Sequence, residues 1–68
     1  MSKELERLGL NIHTLTYVKR VSKTELAERV GISQQMVSEI VAGRKAPSAS
    51  TLIKIAKALG VTVDELIK

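Results

Sequence analysis

Apolar residues recur along this chain at intervals of three and four, and no segment alternates with a period of two. That pattern predicts helices and no strand. Gly31, Gly43 and Gly60 each follow a periodic stretch, where a helix end favours a residue that tolerates positive φ. Ser22, Ser33, Ser48 and Thr62 each precede one, where a side-chain oxygen can accept from an unpaired amide of the first turn. Ser22 with Glu25, and Thr62 with Glu65, have the spacing of full capping boxes. Pro47 stands just before the Ser48 cap.

Five helices follow from this punctuation. The first runs from about Ser2 to Lys19, with Leu5, Leu8, Ile12 and Leu15 on one face and Gly9 weakening its middle. The second, Lys23 to Val30, buries Leu26, Ala27 and Val30. The third, Gln34 to Val41, buries Val37 and Ile40. The fourth, Ala49 to Leu59, buries Leu52, Ile55, Ala56 and Leu59. The last is short, Val63 to Lys68, with Leu66 and Ile67 apolar. Long repeats, linkers and low-complexity stretches are missing, so residues 1–68 are taken as one domain.

Lys23 to Val41 is the informative segment. Two short helices meet through Gly31-Ile32-Ser33, a turn too short for side-by-side antiparallel packing, so the helices should cross steeply. Ala27 is small where the second helix must come close, Gly31 permits the turn, and Val30, Ile32, Val37 and Ile40 fill the angle. A small residue, a glycine four later, then apolar residues six and nine beyond that is the helix-turn-helix pattern.

The chain resembles the Cro and repressor class of lambdoid phages and its bacterial relatives over about Leu8 to Ile67. The strings that carry the resemblance are Ser22-Lys23-Thr24-Glu25-Leu26-Ala27, Val30-Gly31-Ile32-Ser33-Gln34-Gln35, Gly43-Arg44-Lys45-Ala46-Pro47-Ser48 and Ile55-Ala56-Lys57-Ala58-Leu59-Gly60-Val61, with Asp64-Glu65-Leu66 after the last. The resemblance implies an all-α, five-helix, lambda-repressor-like DNA-binding domain with its third helix in the major groove. It also implies base contacts from the positions of Gln34 and Gln35, and from Ser38 or Glu39. Members of the class often pair an Arg on the first helix with a Glu near the end of the third. The matching positions here are Thr16 and Val41, so a small apolar contact is expected to replace the ion pair.

The residues themselves agree with that placement. With Val37 and Ile40 inward, the outer face of the third helix carries Gln35, Ser38, Glu39 and Ala42, and Gln34 sits at its N-terminal tip. A glutamine amide can meet adenine N7 and N6 together. Glu39 has two uses open to it, accepting from a cytosine amino group or pairing with a nearby cation. Phosphates are expected at helix N-termini and cations. That places Lys23 and Ser33 at the starts of the second and third helices, Arg44 and Lys45 in the following loop, and Ser48 at the start of the fourth. Lys54 and Lys57 serve only to solubilise.

Composition narrows the rest. A chain of 68 residues without cysteine has no disulfide and no thiolate metal site. At this size only about 60% of the unfolded surface is buried, so tightly packed helices or a partner subunit must supply stability. Tyr17 is the one aromatic residue, which argues against binding single strands by stacking. Neither a membrane span nor a signal-peptide pattern is present, so a cytoplasmic location is expected. Lys and Arg number 11 against 7 Asp and Glu, a net charge of +4; this suits a polyanion and also serves solubility.

His13 is the only histidine and has no carboxylate at helical spacing, so no metal is expected. No nucleophile, base and orienter set and no phosphate-binding glycine loop appears. The sequence therefore predicts no enzyme, no cofactor and no small-molecule ligand. It predicts a regulator, a repressor or its antitoxin-like or controller-type relatives, binding double-stranded DNA as a homodimer. The rival is a protein-interaction adaptor built on the same bundle. Two surfaces compete for the dimer: the C-terminal region, Val61 to Lys68, and an apolar stripe of Leu10, Tyr17 and Val21.

Overall fold

The computed structural model describes residues 2–68. Helices α1 (Lys3–Lys19), α2 (Lys23–Val30), α3 (Gln34–Val41), α4 (Ala49–Leu59) and α5 (Val63–Ile67) follow one another, with no strand among the described residues. The three middle helices have the bounds that caps and periodicity predict. At the two ends the differences are single residues. Ser2 is the N-cap of α1, its hydroxyl accepting from the Leu5 amide at 3.1 Å, and α5 stops at Ile67.

Each predicted N-cap oxygen accepts from the amide three residues on: Ser22 from Glu25, Ser33 from Met36, Ser48 from Thr51 and Thr62 from Glu65. Only Thr62 with Glu65 closes both halves of a capping box. Glu25 does not return to the Ser22 amide. Its carboxylate pairs instead with Arg29 one turn on, and Arg29 Nη1 donates to the Ala58 carbonyl at 2.9 Å. A charged partner at i+4 that also ties α2 to the end of α4 outcompetes the local backbone bond.

The core gathers Leu8, Ile12, Leu26, Ala27, Val30, Val37, Ile40, Ile55, Ala56 and Leu59, as predicted, and adds Leu66, which the sequence marked only as apolar, and Val21. Val21 departs from expectation: it is buried, not part of an exposed stripe with Leu10 and Tyr17. The helical period ends before it. Arg20 turns left-handed at φ 57 and swings Val21 inward, its amide donating to the Thr16 carbonyl at 2.9 Å. Leu15 and Leu52 are half-buried against the core, so Leu52 falls short of the burial predicted for it; Leu5 is half-buried and Ile67 exposed.

α1 packs on α3, α4 and α5, and α2 packs on α3 and α4. Gly9 is buried because the end of α3 crosses it: a Cβ there would lie 2.2 Å from the Val41 carbonyl oxygen and 2.8 Å from that of Ile40. The residue that weakens α1 locally is thus what lets α3 approach. Thr16, in place of the Arg common in the resembling class, is also buried and donates within α1 to the His13 carbonyl at 2.7 Å. With its hydroxyl satisfied there, it needs no ionic partner.

Candidate nucleic-acid interface

At 100° per residue, Gln34, Ser38, Ala42, Gln35 and Glu39 share an arc of about 140° on α3, opposite the buried Val37 and Ile40. Gln34, Gln35 and Ala42 are exposed, whereas Ser38, within the arc, and Glu39, at one edge of it, are half-buried. The predicted base-facing residues therefore stand together on one face. Both glutamine amides at the helix tip are on exposed residues.

Ser33 caps α3, its oxygen accepting from the Met36 amide at 3.0 Å. That bond uses a lone pair and leaves the hydroxyl proton able to donate outward. Ser48 differs. Its oxygen accepts from the Thr51 amide at 3.2 Å and its proton goes to Thr51 Oγ1 at 3.0 Å, with Ser50 Oγ 3.2 Å away. Donors at the start of α4 thus include Ser50 and Thr51, which the sequence reading did not single out. The run Ser48-Ala49-Ser50-Thr51 was the available signal.

The cations divide by partner. Lys23 at the start of α2 and Lys45 after α3 are exposed and in no ion pair among the described residues. Arg44 is not so placed: its Nε donates to Glu39 Oε2 at 2.8 Å. Of the two uses open to Glu39, pairing with a cation is the one seen, and the cation is itself a predicted phosphate contact. Sequence alone did not join the two because Arg44 lies beyond the end of α3, where helical spacing no longer applies.

No group of three or more His, Cys, Asp or Glu side chains converges to hold a metal among the described residues. No helix there is long and apolar enough to cross a membrane.

A family model described as helix-turn-helix matches residues 19–66. The chain belongs to the helix-turn-helix family. Among its relatives, an HTH-type transcriptional regulator of Sinorhizobium fredii is 38% identical over 60 residues, spanning 88% of this chain and 78% of the relative. Solved structures of the same shape include the clp gene regulator ClgR of Corynebacterium glutamicum. Its TM-score is 0.92 at 32% identity, covering 97% of this chain and 85% of that one. The restriction-modification controller protein C.AhdI of Aeromonas hydrophila has a TM-score of 0.91 at 26% identity, covering 96% and 98%. The Cro and repressor likeness carried by the sequence strings therefore stands, as does the all-α, five-helix architecture. In this helix-turn-helix protein the paired helices are α2 and α3, and the polar arc lies on the second of them.

Proposed function

We propose that this chain is a sequence-specific regulator of transcription that lays α3 in the major groove of double-stranded DNA. The observation that carries the proposal is the polar arc of α3, with two exposed glutamines at its tip and Lys23 and Lys45, in no ion pair among the described residues, on either side in sequence, in a chain of helix-turn-helix family and shape. Gln34 and Gln35 read base edges, and Ser38 stands close enough along the arc to add a contact. Lys23, Ser33, Arg44, Lys45 and the hydroxyls around Ser48 meet the backbone. Glu39 is the base-facing candidate already engaged by a cation.

One such module spans few base pairs. Two modules about 34 Å apart on one face of the duplex give specific affinity, so the protein works as a homodimer. Its action is repression, by occupation of a site. We assign it no reaction, because the family and fold are those of DNA-binding regulators.

Selection of bound duplexes from a random pool tests the proposal. A palindromic consensus that binds well above random DNA is the expected result. Binding without any consensus would remove sequence reading, and no binding to duplex DNA would favour a protein-interaction adaptor.

A further inference from the structure

Four helices end alike. After each comes a left-handed residue, Arg20, Gly31, Gly43 or Gly60. The amide of the next residue then donates to the carbonyl five back: Val21 to Thr16, Ile32 to Ala27, Arg44 to Glu39 and Val61 to Ala56. Such ends commonly carry an apolar contact between the residue that follows the left-handed position and the last turn of the helix. Val21 is buried, and Ile32 and Val61 are half-buried against the core. The end of α3 departs from this. There the two positions are Arg44 and Glu39, Arg44 is exposed, and the side-chain contact is the 2.8 Å bond from Nε to Oε2. Gly43 and two backbone bonds, from the Gly43 amide to the Ile40 carbonyl and from the Arg44 amide to that of Glu39, close α3 whatever the side chains are, so the fold does not require these charges. They lie where the proposed recognition helix meets its phosphate-contacting loop.

We propose that Glu39 is a positioning residue for Arg44 and does not read bases. Its carboxylate holds the Nε edge of the guanidinium. The two terminal nitrogens of Arg44, which make no hydrogen bond among the described residues, remain to clasp a backbone phosphate. The pair thereby ties the register of α3 to a fixed point on the duplex. This inference rests on the DNA-binding function proposed above. Without Glu39, Arg44 must be ordered at the moment of binding, which for one long side chain weakens affinity about two- to tenfold.

The test measures binding of the wild type, Glu39→Ala, Glu39→Gln, Arg44→Ala and the Glu39→Ala/Arg44→Ala double variant. Each is titrated against a selected duplex and a random duplex, and base preferences are re-selected for the Glu39 variants. Glu39→Ala should weaken both duplexes about two- to tenfold, leave their ratio and every base preference unchanged, and have no further effect once Arg44 is alanine. Glu39→Gln, which keeps an acceptor for Nε, should retain most of the affinity. Helicity and thermal midpoint should stay at the wild-type values in all variants. A changed preference at one base pair would make Glu39 a base reader and overturn the proposal. Tighter binding by Glu39→Ala would show a carboxylate that only repels phosphate, and an equal loss with and without Arg44 would show no coupling; either overturns it too. If the wild type itself binds neither duplex, the DNA-binding function falls first and the inference with it.

Discussion

Gly9 sets two residue-scale effects against each other. Replacing it by alanine favours the helix by about 1 kcal/mol. The new methyl group, however, meets a backbone carbonyl at 2.2 Å, and that oxygen cannot rotate away as a side chain could. Overpacking of this kind costs about 1–3 kcal/mol, sometimes more, so the clash wins. Gly9→Ala should lower the thermal midpoint and, by pushing α3 off its seat, weaken DNA binding; an unchanged or raised midpoint would mean that α1 and α3 are not packed this closely. At the interface, Gln35→Ala should reduce affinity for the selected duplex by about 1–3 kcal/mol and leave random DNA and the salt dependence alone. Competition binding on the two DNAs reads this directly. If both Gln34→Ala and Gln35→Ala left the affinity ratio untouched, α3 would not be reading bases.

Among the elements, α5 is the shortest and the most dependent on its neighbours. Five residues are too few to nucleate a helix in water, so its existence depends on the fully buried Leu66, its capping box and two donors from α1. Asn11 Nδ2 donates to the Leu66 carbonyl at 2.8 Å and Arg7 Nη1 to that of Lys68 at 2.8 Å. These bonds satisfy carbonyls that a helix end leaves without intrahelical partners. Asn11→Ala should cost about 1 kcal/mol and speed amide exchange in α5 before the rest of the chain. Leu66→Ala removes a fully buried side chain and should cost about 2–5 kcal/mol. A chain of this length has only about 3–10 kcal/mol of stability in all, so that variant should lose a large share of it and melt well below Asn11→Ala. Circular dichroism against temperature distinguishes the two variants.

For the whole molecule the open quantity is assembly. With Val21 buried, the stripe on α1 shrinks to Leu10 and Tyr17, with Val18 exposed beside them. On the C-terminal side, Ile67 of α5 and Ile53 of α4 are exposed on helices that pack together. Single exposed apolar residues are ordinary, so area alone does not choose. The resemblance to the Cro and repressor class implies the C-terminal surface, Val61 to Lys68, for the proposed dimer. Leu10→Lys with Tyr17→Lys should leave the dimer intact in sedimentation, and Ile67→Lys should dissociate it; the reverse pair of outcomes would move the interface to α1. Long-range charge belongs to this scale as well. Lys45 has no ion-pair partner among the described residues, so Lys45→Ala should weaken all DNAs alike. It should also flatten the slope of log affinity against log salt by about 0.9 per subunit. A slope unchanged in the variant would place Lys45 away from the phosphates.

The sequence by itself determined what local physics determines. Ser33, Ser48 and Thr62 mark helix starts because a side-chain oxygen three residues from an orphan amide is a local arrangement, and the apolar period assigns Val37 and Ile40 inward with Gln34 and Gln35 outward. Helix bounds, most of the core and the polar arc of α3 were therefore legible. Tertiary structure decided the rest, where a residue's partner is distant in the chain or lies past the end of a helix. Gly9 reads as a flaw until α3 crosses it. Val21 reads as surface until a left-handed turn at Arg20 redirects it. Glu25 has the spacing of a capping box and spends its carboxylate on Arg29, which is tied in turn to Ala58. Glu39 offers no sequence spacing that selects Arg44, because the two meet only after Gly43 reverses the chain. Periodicity fixes which face a side chain occupies; which group it meets there depends on how the helices pack.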